Sequence, residues 1–181
     1  MNPHAVISRP VDIGHLPKDA IVVVATNREL AELAAAYDLI AATALSATVA
    51  LTPGPRGSVE VQGRVIADIV QTCVVSLAPV DQHIDEPFSL RFVRASDAPP
   101  PAKRGAEVVV APNAPDPPEI LEGTTIDVGA VVEEAFVLAI DPYPRAPGVA
   151  LPVEFADPAD RLADSPFAAL AGLADKASGK G

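Results

Sequence analysis

Residues 39–69, LIAATALSATVALTPGPRGSVEVQGRVIADI, carry the pattern from which the rest of the chain is read. Before the central turn, Leu39, Ala41, Thr43, Leu45, Ala47, Val49 and Leu51 recur every second residue. After it, Val59, Val61, Val65, Ala67 and Ile69 do the same, while Glu60, Gln62, Arg64 and Asp68 fall on the opposite face. Alternation with period two is the signature of a half-buried strand. The Thr52-Pro-Gly-Pro-Arg-Gly57 stretch between the two runs is turn chemistry. The pattern predicts a long antiparallel hairpin, pairing roughly Ala44–Leu51 with Ser58–Ile66, polar on one side. Gly63, inside the second strand, points to a bulge or a close approach of another group.

Working outward, QTCVVSLAPV extends strand character through Leu77, and Pro79 is expected to break it. Phe88, Leu90 and Phe92 alternate in a further strand. Upstream, Ile21–Ala25 (IVVVA) reads as a first strand, followed by a helix. Thr26 and Glu29 have capping-box spacing, and Leu30, Leu33, Ala34 and Tyr37 recur at helical intervals. Downstream, residues 96–118 hold seven prolines and little periodicity, the composition of an extended, mobile linker. In TIDVGAVVEEAFVLAIDPYPR, Asp127 is placed as an N-cap, with Val128, Val131, Val132, Ala135 and Ala139 at helical spacing. Asp141-Pro142 ends that helix. A last short helix is expected from Ser165 and Pro166, ordered only when docked.

These elements predict an α+β fold: a mostly antiparallel, strongly twisted sheet built on a long hairpin meander, with two or three short helices and a Pro-rich linker. Four regions follow: a strand-rich core with one helix (1–95), the flexible linker (96–118), a second helix packing on the core (119–145), and an acidic tail with a terminal helix (146–181).

Composition narrows function. Of 181 residues, 49 % are apolar but only 4 % aromatic, so the core must be aliphatic. Net charge is −11, divided as −3 over residues 1–95 and −8 over 96–181. An acidic chain does not suit RNA backbone contact as the main mode, and suits a basic protein partner better. The N-terminus shows neither an apolar signal core nor a cleavage site, and the aliphatic stretch Ile21–Ala25 is too short to cross a bilayer. The expectation is a soluble cytoplasmic protein without membrane partners.

No catalytic set emerges, and no cofactor is expected. The chain lacks a P-loop lysine and a Gly-x-Ser-x-Gly elbow. His83 and Asp85, near Asp81, read as residues of a Pro-flanked loop rather than metal ligands. Cys73, the single cysteine, reads as a buried strand residue beside Val75 and Leu77. Glu133 and Glu134, with Asp127 and Asp141, read as a solvated acidic face. Arg145, in DPYPRAPG, could be presented by a Pro-rich turn. The candidate partner-binding residues are therefore Arg64, Asp127, Glu133, Glu134 and Arg145.

Four separated stretches, in order, resemble the YceD family: SRPVDIGHLP with IVVVATNRELAELAAAYDL, then VEVQGRVIADIVQTCVVSLAPV, then PPE with TIDVGAVVEEAFVLAIDPYPR, then SPFAALAGL. The resemblance implies a non-enzymatic role in accumulation or maturation of large-subunit ribosomal RNA. The implied partner is a large-subunit precursor or a basic ribosomal protein. Many family members carry a Cys-x-x-Cys where this chain has only Cys73, so no metal-dependent property is carried over. The competing class is a small-ligand-binding module or enzyme unrelated to ribosomes, which a deep polar pocket converging on His83, Asp85 or Cys73 would favour.

Overall fold

A computed structural model describes residues 5–98, 117–121 and 123–149. In chain order these form β1 (Pro10–Asp12), β2 (Ile21–Val24), α1 (Asn27–Ala36), β3 (Ala41–Pro53), β4 (Val59–Thr72), β5 (Pro79–Arg94), β6 (Glu119–Leu121), β7 (Thr125–Asp127) and α2 (Val128–Ala139). The architecture is α+β. A five-stranded sheet runs β2-β3-β4-β5-β6, antiparallel except for the last pair, and β1 and β7 form a separate antiparallel pair.

The hairpin of β3 and β4 sets Leu45 opposite Ala67 and Leu51 opposite Val61. Arg56 and Gly57 turn the chain with φ of 57° and 71°. Gly63 carries no bulge; it is a point of close approach. A Cβ there would stand 2.4 Å from the Phe88 ring and 2.8 Å from the Thr48 carbonyl oxygen. The irregularity lies instead between Ala42 and Ala44, where the register shifts. The two-residue period of β3 is thereby broken: Thr43 is exposed, its hydroxyl donating to the Asp68 carbonyl, and the buried run starts at Leu45.

One face of the sheet makes the core. Leu45, Val49, Val61, Val65, Ile69, Ile84 and Phe92 lie against Leu30 and Leu33 of α1 and Val131, Val132 and Phe136 of α2. Tyr37 meets Phe136 edge to face, with ring centres 6.3 Å apart. On the other face Val22 and Val24 are exposed alongside the polar row of β4.

Three expectations require correction. Strand character does not reach Leu77: β4 stops at Thr72, and Cys73–Ala78 is a tight turn closed by hydrogen bonds from Leu77 N to Cys73 O and from Cys73 N to Ala78 O. Leu77 is left exposed, with φ of 61°. Pro79 does not break a strand but opens β5, because the first residue of a strand can dispense with one N–H. His83 and Asp85 accordingly lie in a strand, not a loop. The segment before α2 also contributes two short strands, β6 and β7, that its composition did not suggest. Most of the Pro-rich linker (99–116) and the terminal helix from Ser165 lie outside the described residues.

Candidate interaction surface

The carboxylates of α2 divide into two kinds. Asp127 caps the helix, accepting from Gly129 N and Ala130 N at 3.0 and 3.2 Å. It also accepts from Arg9 N at 2.7 Å and from the Ser8 hydroxyl at 2.7 Å. Glu133 is 3 % exposed and holds two partners, Ile7 N at 2.9 Å and the Tyr37 hydroxyl at 2.6 Å. Glu133 is therefore no part of a solvated acidic face. Residues 7–9 cross the N-terminal half of α2 and are fastened there by these two carboxylates. Gly129 permits the crossing, since a Cβ would stand 2.6 Å from the Ile7 carbonyl oxygen.

Arg9 extends the fastening to α1. Its guanidinium donates to Glu29 at 2.8 and 3.2 Å, and Glu29 also closes the capping box with Thr26. The Arg9 hydrogen bond holds the Glu29 carboxyl at about 2, well below the usual carboxylate range. Burial, reinforced by the hydrogen bond to Glu133, raises the Tyr37 hydroxyl and keeps it a proton donor.

Arg64 is exposed on the sheet face opposite the core, but Asp85 of the neighbouring strand engages it, with Nη2 to Oδ2 at 2.8 Å. His83 Nδ1 is similarly 2.6 Å from Asp68. Among the described residues, no third donor joins these to make a cluster able to hold a metal ion.

Arg145 stands on a segment docked at the far end of the sheet. Gln71 Nε2 donates to Asp141 O, Gln82 Nε2 donates to Ala139 O, and Asp141 N donates to Gln82 Oε1, at 2.9 to 3.1 Å. Val74 N donates to Pro144 O at 2.9 Å. Cys73 is fully buried, and its Sγ accepts from Ser76 N and Ala146 N, both at 3.3 Å. Hydrogen bonding from Ser76 and Ala146 lowers the thiol from its ordinary value, while enclosure of the sulfur works the other way. Pro144 is buried and Arg145 exposed, so the Pro-rich turn does present this arginine.

Glu134 faces away from the fastened segment. It borders a recess of about 670 Å³ between α2 and β5, with Phe88, Leu90, Val131, Ala135 and Leu138 on its walls. Adjoining hollows continue it towards Tyr37 and Ile120 on one side and towards Glu86 and Ala139 on the other. Leu138 is 80 % exposed and Ile120 55 % exposed. Together they line one groove. Sequence reasoning missed it, although α2 held a signal: GAVVEEAFVLA is apolar on more sides than one sheet can cover. Of the five candidate residues, Arg64, Asp127 and Glu133 hold other parts of the chain, whereas Glu134 and Arg145 face outward in separate places.

The described helices include none long and apolar enough to cross a membrane. No match was found among curated proteins or among solved structures. A family model described as large ribosomal RNA subunit accumulation protein YceD matches residues 61–174, from the second strand of the hairpin through α2 and into the tail. With more than half of the sequence matched, the chain belongs to the YceD family.

Proposed function

We propose that this chain is a non-enzymatic, cytoplasmic factor of ribosome biogenesis that supports accumulation of large-subunit ribosomal RNA by binding a precursor particle or one of its proteins. The observation that carries the reading is the family match over residues 61–174. The geometry supports it by what its polar groups do. The buried carboxylate of Glu133 and the thiol of Cys73 both accept backbone hydrogen bonds within the fold. Asp85 and His83 pair with strand neighbours, and the main recess combines apolar walls at Phe88, Leu90 and Val131 with carboxylates on its border rather than a converging polar set. Such an arrangement suits binding better than acid–base or nucleophilic chemistry.

The test is a chromosomal deletion with plasmid complementation, read by sucrose-gradient profiles and by the ratio of large- to small-subunit ribosomal RNA. The deletion should lower that ratio and deplete large subunits, and the tagged protein should co-sediment with large-subunit precursors. An unchanged ratio together with sedimentation only at the top of the gradient would overturn the reading.

A further inference from the structure

We infer that the groove between α2 and β5 is the docking site for an extended, basic segment of a partner protein that alternates apolar with Lys or Arg residues. This rests on the reading of the chain as a binding factor and names the partner chemistry. The groove has an apolar floor at Phe88, Leu90 and Val131, the exposed Leu138 at its edge, and carboxylates on its border. Among the described residues, Glu60, Glu119 and Glu134 border the main recess with Arg91 as the one cation, and Glu86 borders the adjoining hollow. A segment entering this space meets carboxylates along its length while its apolar side chains reach the floor.

The sheet supplies the other half of the recognition. β6 pairs with β5 only from Phe92 to Arg94. From Pro79 to Arg91, no described strand pairs with the β5 edge that faces away from β4. An open edge beside an apolar wall is the geometry in which an extended segment adds main-chain hydrogen bonds and inserts alternate side chains. Pro87, which has no N–H, interrupts that edge and discourages indiscriminate strand addition.

Charge selects the occupant. The chain's own residues 150–181 carry five acidic side chains against three basic ones, a net charge of the same sign as the rim. A second copy, at net −11, meets the same repulsion. A basic segment is attracted, and it gives up that attraction as salt rises.

The experiment uses the full chain and a fluorescent synthetic peptide of about twelve residues alternating Val with Lys, compared with a Val/Glu peptide of the same length. Anisotropy should show binding of the Val/Lys peptide alone, weakened as salt is raised from about 50 to 300 mM. Leu138→Ser and Glu134→Lys change exposed side chains, and each should weaken binding by about tenfold or more. Asp19→Lys makes the same charge change away from the groove, in the loop before β2 at the opposite edge of the sheet, and should leave affinity within about twofold. Several results would overturn the proposal: no binding of the Val/Lys peptide, equal binding of the Val/Glu peptide, or affinity unmoved by both groove variants. Tighter binding of an unstructured RNA oligonucleotide than of the peptide would also overturn it. So would self-association removed by Leu138→Ser in a chain that ignores the peptide. The functional reading is tested separately: if Leu138→Ser and Glu134→Lys still restore ribosomal RNA levels in the deletion strain, the groove assignment is lost and the functional reading stands.

Discussion

The carboxylate of Glu133 accepts a hydrogen bond at 2.9 Å from the backbone N–H of Ile7, 126 positions earlier in the chain. The other oxygen of the same carboxylate takes the Tyr37 hydroxyl at the end of α1. One buried side chain on α2 thus ties down the N-terminal segment and the first helix together.

Removing that tie should be costly. Glu133→Ala strands a buried N–H and a half-buried hydroxyl, and should destabilise the fold by about 3 kcal/mol. Glu133→Gln keeps the shape and one acceptor, with Tyr37 able to turn its hydroxyl and accept from the amide, and should cost about 1 kcal/mol. Glu134→Gln, on the exposed side, should stay within about 0.5 kcal/mol. Urea denaturation followed by circular dichroism separates the three, and equal effects at both positions would contradict the burial of Glu133.

The Arg9–Glu29 pair sets a pH dependence of known sign. The folded-state pKa of Glu29, about 2, lies below its ordinary 4.5. Its contribution is therefore fully present above about 4.5 and disappears as pH falls towards 2, where the carboxyl protonates in both states. Arg9→Ala should lower the melting temperature above pH 5, and the gap to the unaltered chain should close through the acid window. Thermal melts of both chains from pH 7 down to the acid limit of folding check this; a gap that widens on acidification would contradict it.

Gly129→Ala sets helix propensity against steric contact. Alanine is worth about 1 kcal/mol over glycine inside a helix. Here the added Cβ would sit 2.6 Å from Ile7 O and 2.8 Å from Arg9 N, both backbone atoms. Contact should win, with a net loss of about 2 kcal/mol or more. Amide exchange should show Ile7 N–H and Arg9 N–H losing protection first, since the crossing segment is what has to move.

Cys73 offers a fourth test of long-range ties. Cys73→Ala leaves Ser76 N and Ala146 N without their acceptor and should cost about 1–2 kcal/mol. Cys73→Ser restores an acceptor on a shorter bond and should fall between alanine and the native thiol. Labelling of the native thiol should be slow, limited by opening of the 73–78 turn, because the sulfur is fully buried. Labelling as fast as that of a free thiol in solution would count against it.

What the residues determined alone is what neighbours in sequence determine. Two-residue alternation on both sides of TPGPRG sets the β3–β4 pairing, because each run has one face suited to a core and the turn leaves few alternatives in register. Thr26 with Glu29, and Asp127, mark the starts of both helices, because a cap satisfies N–H groups only two or three residues away. Tertiary structure decided matters that depend on which distant segment lies across a given side chain. Glu133 and Glu134 are adjacent and chemically identical, yet one is buried against Ile7 and the other borders the groove, because residues 7–9 cross one side of α2 and not the other. Arg64 alternates like a free surface charge until β5 brings Asp85 beside it. The end of β4 at Thr72 reflects Ser76 N and Ala146 N converging on the Cys73 sulfur, a contact spanning 73 residues in the second case. The groove lies where α2, with apolar residues on more sides than the sheet covers, borders a stretch of β5 that no described strand pairs on that edge.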